Sequence, residues 1–135
     1  MKPLYLAGVA MLTTAGLIAA CAPEARTATA AQDYADYCAA CHGATGKGDG
    51  PAAAGRVPGR ADLTRIAARH GGQFPELQVM GRINGYTMGR SDTTMPSFAD
   101  LLDGPSVMYG ADGGTPEPTS QRLVALMQYL KAMQD

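Results

Sequence analysis

Cys38-Ala39-Ala40-Cys41-His42 is the stretch on which the reading of this chain turns. Two thiols three positions apart lie on one helical turn, so each can bond a vinyl group of a single porphyrin. The histidine directly after them presents its imidazole to the iron from one side. C-x-x-C-H is therefore read as a site of covalent haem attachment, with Cys38 and Cys41 as thioether residues and His42 as axial ligand. A redox dithiol or half a zinc site needs only C-x-x-C and has no use for the adjacent histidine. A thioredoxin-like reading also needs a βαβ pattern around the motif, and this chain has none.

The chain of 135 residues is long enough for one domain with a modest core. Eleven Lys and Arg stand against twelve Asp and Glu, a formal net charge of −1. No basic stripe points to nucleic acid, and no acidic tail points to disorder. There is no Trp and there are only two Phe, a thin aromatic inventory for a core. A buried porphyrin supplies the missing apolar bulk, so composition and motif agree.

Lys2 is the only charge before Glu24, and residues 4–20 are apolar with small residues interleaved. This is the pattern of a signal peptide, placed at residues 1–20. The run approaches the roughly 20 residues that span a bilayer, so an uncleaved anchor is the competing reading. Gly8, Thr13, Thr14 and Gly16 weaken it. Ile18-Ala19-Ala20-Cys21 resembles the lipobox of bacterial lipoprotein signal peptides. That resemblance implies cleavage before Cys21 and a diacylglycerol on its thiol; the alternative is a plain signal peptide ending at Ala-x-Ala. With Cys21 lipidated, all three cysteines have a role and none is left for a disulfide. Losing Lys2 leaves ten basic against twelve acidic residues, a mature charge of −2. Residues 21–31 are then a lipidated cysteine and a tether, of which the last ten reach about 30–35 Å when extended. The expected location is the periplasmic side of a bacterial membrane.

Residues 32–135 form the expected folded domain. A first helix is predicted over residues 30–40, with Thr29 as N-cap. Tyr34, Tyr37, Cys38 and Cys41 recur there at helical spacing, putting both aromatics and both thiols on one face. The glycines and proline of residues 42–51 make a loop that resembles a phosphate cradle only superficially, since no strand precedes it. Short helices are predicted at 62–69, closed by Gly71-Gly72, and at 75–84, closed by Gly85. Residues 85–94 should be irregular. Leu123, Leu126, Met127, Leu130 and Met133 mark the apolar stripe of a last helix over 120–133, capped by Ser120. Residues 103–119 read as a long functional or mobile loop. No segment reads as a strand.

A haem iron held by His42 has one further axial position. Met95 precedes Pro96, which biases it toward an extended conformation that could hold a thioether on a stiff loop. Met88 and Met108 lie in loops and compete with it. Met80, Met127 and Met133 lie on predicted helices and read as core. His70 reads as solvated.

From Tyr34 to about Met133 the chain resembles a class I c-type cytochrome of the small bacterial periplasmic kind. The resemblance rests on Cys38-Ala-Ala-Cys-His-Gly43, Gly46-Lys-Gly-Asp-Gly-Pro51, Ala61-Asp-Leu-Thr64, Thr94-Met-Pro-Ser-Phe98 and Leu126-Met-Gln-Tyr-Leu130, in that order. It implies an all-α fold of three to five short helices wrapped around one covalent haem c. It implies that Met95 opposes His42, and that Pro51 offers its carbonyl to the other ring nitrogen of His42. It also implies that Tyr34 and Tyr129 sit where the first and last helices cross. The 103–119 segment departs from the compact family pattern.

The function so implied is one-electron transfer by a membrane-tethered carrier in an exported respiratory or photosynthetic chain, not catalysis. Its partners would be donor and acceptor proteins that dock transiently, with no nucleic acid and no small-molecule substrate. Two other readings stand beside it: a cytochrome subunit of a larger oxidoreductase, and a haem-based ligand sensor with a displaceable distal methionine.

Overall fold

The computed structural model describes residues 29–53, 61–86 and 95–135. The leader, Cys21 and Met88 lie outside the described residues. The first helix starts where its cap predicts: Thr29 accepts from the Gln32 N–H at 3.2 Å, and α1 runs Ala30–Tyr37. Cys38 interrupts it with φ −114°, and a single turn, α2, follows at Ala39–His42. Two short helices come next, α3 at Ile66–Arg69 and α4 at Glu76–Ile83. The last and longest, α5, covers Gln121–Ala132, with Ser120 accepting from the Leu123 N–H.

Helix α1 packs against α5, and α4 packs on α5 as well. The predicted stripe of α5 is the centre of the core: Leu123, Leu126, Met127 and Leu130 are buried, and Met133 is half-buried against them. Tyr34, Val79, Met80, Ile83 and Leu102 complete it from the other elements. Truncating one of these large aliphatic side chains to alanine costs about 2–5 kcal/mol. The rings of Tyr34 and Tyr129 meet at 5.5 Å, marking the α1–α5 crossing as the family resemblance implies.

Residues 103–119 correct the expectation of a strand-free loop. Ser106–Tyr109 (β1) pairs antiparallel with Glu117–Ser120 (β2), with Val107 opposite Thr119 and Met108 opposite Pro118. The fold is thus helix-rich with a two-stranded hairpin, not purely helical. Val107 and Tyr109 turn toward the core while Met108 faces outward at 65 % exposure. Pro118 is tolerated because a two-stranded sheet is all edge.

The hairpin tip is fastened, not loose. Asp112 adopts φ 53°, the left-handed region open to Asp and Asn. From there its carboxylate accepts the backbone N–H groups of Glu76 at 2.9 Å and Leu77 at 3.0 Å. Pro75 has no side-chain cap to give, so α4 takes its N-terminal acceptor from a residue far along the chain. Glu76 returns the contact. Its carboxylate accepts from the Asp112 N–H at 3.1 Å, the Tyr109 hydroxyl at 2.8 Å and the Lys131 ammonium at 2.7 Å. One buried carboxylate therefore joins hairpin, α4 and α5.

Candidate haem site

Cys38, Cys41 and His42 sit on one turn. The Cys38 carbonyl accepts from the N–H of Cys41 at 3.1 Å and of His42 at 2.9 Å. Both thiols are free, and they are the only cysteines among the described residues. Cys38 is buried, and burial pushes its thiol up to about 11, with the nearby Asp33 and Cys41 adding to the effect.

The ring of His42 is oriented by a carbonyl. Its Nδ1 lies 2.6 Å from the Ala61 oxygen, so Nδ1 carries the proton and donates. Nε2 is left with its lone pair, the tautomer an iron ligand needs. The acceptor is Ala61, not the Pro51 carbonyl that the resemblance implies. The local packing explains the difference. Gly50 lies against the Ala39 and Ala40 carbonyls, where any Cβ would collide, and Pro51 opens the 3-10 turn Pro51–Ala53. Ala61 is held at Nδ1 instead by the Lys47–Asp62 bridge and by the Leu63 N–H donating to the Gly46 carbonyl.

Tyr34 supports the segment after His42. Its hydroxyl donates to the Gly43 carbonyl at 2.7 Å, and burial, reinforced by Cys38, Tyr129 and Asp49, pushes it up to about 12. The Tyr34–Gly43 bond thus ties the helix crossing to the loop that leaves the motif.

Met95 is half-buried against the core. The residues after it are stitched to the end of α4: Ser97 Oγ donates to the Asn84 carbonyl at 3.0 Å and the Phe98 N–H to Ile83 at 2.9 Å. The Phe98 ring lies 6.4 Å from that of Tyr37, the neighbour of Cys38. The Met95 segment and the cysteine motif are therefore on connected walls. Met80 and Met127 are buried core residues, Met133 packs near Gly46, and Met108 points to solvent. His70 is exposed, with Nδ1 at 2.9 Å from the Ile66 oxygen.

The polar framework around the site was not read from the sequence. Asp33 and Arg122 form a two-pronged ion pair between α1 and α5, at 2.6 and 3.2 Å. A signal existed: Arg122 lies four positions before the core residue Leu126, and Asp33 four before Tyr37, which packs against the core. Glu76, Tyr109, Asp112 and Lys131 carried no such sign, because their contacts are made across the fold. Arg82 is the other residue missed, and its Nη1 is buried without an acceptor.

These features fit a haem: two free thiols on one turn, an imidazole with Nε2 free, and a buried guanidinium nitrogen without an acceptor. The cytochrome c family model matches residues 28–134. The chain belongs to the cytochrome c family. It is a c-type cytochrome, an electron-transfer protein that carries covalently attached haem c and exchanges electrons with redox partners. Neither the curated proteins nor the solved structures yielded a match.

Proposed function

We propose that this cytochrome is a one-electron carrier tethered by lipid to the periplasmic face of a bacterial membrane, serving a respiratory or photosynthetic chain. Cys38 and Cys41 carry the thioethers, and His42 and Met95 hold the iron. When bound, the haem supplies a reversible one-electron ferric–ferrous couple. The single observation that carries the reading is the His42 orientation, with Nδ1 donating to Ala61 and Nε2 left for metal.

Each residue has a definable task. The Ala61 carbonyl fixes the imidazole rotamer and raises its basicity, strengthening it as a donor. Met95, stiffened by Pro96 and by the Ser97 and Phe98 bonds to the end of α4, closes the second axial position. With both positions filled, no place remains for a substrate, which favours electron transfer over ligand sensing. The fastened hairpin and the α1–α5 ion pair keep these walls fixed, so little rearranges when the charge of the site changes.

The tether reading rests on Ile18-Ala19-Ala20-Cys21. A diacylated and N-acylated cysteine holds a protein at a bilayer, and residues 22–31 give the domain reach to dock with partners. Membrane fractionation with intact mass spectrometry tests the whole reading. Supporting results are one covalent haem and acyl chains on Cys21 in membrane-bound protein; soluble, unacylated protein removes the tether, and extractable haem removes the site.

A further inference from the structure

Charge is spread unevenly along the chain. Residues 91–121 hold five acidic residues, Asp92, Asp100, Asp103, Asp112 and Glu117, and no Lys or Arg. Residues 43–90 hold seven Lys and Arg against three Asp and Glu. A formal net charge of −1 thus conceals two opposed blocks. The fold keeps much of the acidic block together: the Gln121 N–H donates to the Pro105 carbonyl at 2.9 Å, and β1 pairs with β2. Asp100, Asp103 and Glu117 are exposed, and none has a cationic partner among the described residues.

Two apolar side chains of the same block are uncovered. Met108 is 65 % exposed on the outer face of β1, opposite the exposed Pro118, and Leu101 is 48 % exposed in the 3-10 turn Asp100–Leu102. An adaptable thioether among unpaired carboxylates has the make-up of a transient docking patch, apolar at its contact and charged at its rim. The hairpin is held in advance by the Tyr109 and Asp112 bonds to Glu76, so docking has little left to order. The patch also continues from the segment that carries Met95, because the Phe98 carbonyl accepts the N–H groups of Leu101 and Leu102.

We propose that the hairpin and the Asp100–Leu102 turn are the docking surface for a redox protein that presents Lys and Arg around an apolar spot, an inference that rests on the electron-carrier reading. The carboxylates steer that partner toward the end of the molecule where the Met95 segment runs into the hairpin. The same charge repels an anionic lipid surface or a nucleic acid. A second copy of the chain, offering its own 43–90 block, is the competing occupant, and the test separates it.

The test follows haem reduction and reoxidation in native membranes in which each variant replaces the wild-type chain, across a range of ionic strength. Asp100→Lys with Glu117→Lys should slow exchange with one partner roughly tenfold at low salt and flatten its salt dependence. Met108→Ala should slow the same step at every salt while leaving the visible spectrum unchanged. Asp36→Lys, which shifts net charge as much as Glu117→Lys but lies on α1, should do neither. If the reversed variant loses haem, Asp100→Asn with Glu117→Gln, which only removes charge, decides in its place. Equal rates in wild type and these variants, or a wild-type rate that rises with salt, overturns the proposal. A photoreactive p-benzoylphenylalanine at position 108 that joins only two copies of this chain overturns it in favour of self-association. Wild-type protein with covalent haem that exchanges no electrons at any salt instead overturns the carrier reading, whereas exchange indifferent to the hairpin charges overturns the docking surface alone.

Discussion

Asp33 and Arg122, 89 positions apart, lock α1 to α5 through Nη2–Oδ1 at 2.6 Å and Nε–Oδ2 at 3.2 Å. The same guanidinium donates through Nη1 to the Leu101 carbonyl at 2.7 Å. Asp33 is 2 % exposed and Arg122 24 %, so one partner is buried and the other reaches water. The carboxylate holds the guanidinium above its ordinary range, chiefly by direct hydrogen bonding. Burying a carboxylate is tolerable only with such a partner. Asp33 is also the immediate neighbour of Tyr34, so the pair steadies the wall that reaches Gly43.

Arg122→Met should destabilise the protein by about 3 kcal/mol, the low end for breaking a buried pair because Arg122 is partly solvated. Replacing both residues, as Asp33→Leu with Arg122→Met, should recover most of that loss. Urea unfolding in a double-mutant cycle measures it. A double variant less stable than Arg122→Met would show that Asp33 does more than answer Arg122.

Glu76 makes the hairpin attachment sensitive to acid. The Lys131 hydrogen bond, with help from the Asp112 N–H and the Tyr109 hydroxyl, outweighs burial and holds the carboxyl below its ordinary 4.5. A lowered folded value stabilises above the unfolded value and is lost as pH falls through the folded one. Wild-type stability should therefore fall more steeply below about pH 4.5 than that of Glu76→Gln, which should already be about 1–3 kcal/mol weaker near neutrality. On the alkaline side the sign reverses. Burial and Glu76 push Tyr109 up to about 12, so its contribution is full below 10 and lost as pH rises toward 12. Tyr109→Phe should lack that alkaline loss; equal slopes in the two proteins would contradict the assignment.

Asp112 caps a helix it does not belong to. Asp112→Ala should cost about 1–2 kcal/mol, whereas Asp112→Asn, which tolerates the left-handed backbone and keeps one acceptor, should cost less. Amide exchange should speed up at Glu76 and Leu77 before it does at the middle of α5. Unchanged protection at those two amides would refute the cap.

The start of α1 and both ends of α4 and α5 were legible because their signals are local, whereas α1 stops at Tyr37 and not at residue 40, and α3 starts at Ile66 and not at residue 62. Thr29 and Ser120 bond backbone groups three positions on, and the α5 stripe from Leu123 to Leu130 follows one period. The hairpin was not legible. Its strands are four residues long, and Pro118 argues against a strand at the place where one forms. The acceptor for His42 was misplaced for a related reason. Ala61 is 19 positions away, and nothing in its own side chain marks it. The motif supplied the chemistry of the site, while its support came from backbone and charge contacts made across the fold.

His70 and His42 should behave oppositely. His70 is exposed and bonded to its own helix, so His70→Ala should leave the visible spectrum unchanged. His42→Ala should remove the low-spin spectrum and the stable haem fold. Loss of the reduced-state bands in the His70 variant would refute the axial assignment.

The most direct test of the central claim is the electronic spectrum of the ferric Met95→Ala protein, read beside carbon monoxide binding by the ferrous forms. Met95 is half-buried on a segment fixed to α4, whereas Met108 is 65 % exposed on the outer face of the hairpin. Wild type should show the long-wavelength methionine–ferric-iron charge-transfer band and resist carbon monoxide. Met95→Ala should lose the band, drop in potential and bind carbon monoxide readily, while Met88→Ala and Met108→Ala retain wild-type behaviour. A band that survives in Met95→Ala, or rapid carbon monoxide binding by wild-type ferrous protein at neutral pH, would contradict the account of a closed, six-coordinate electron carrier.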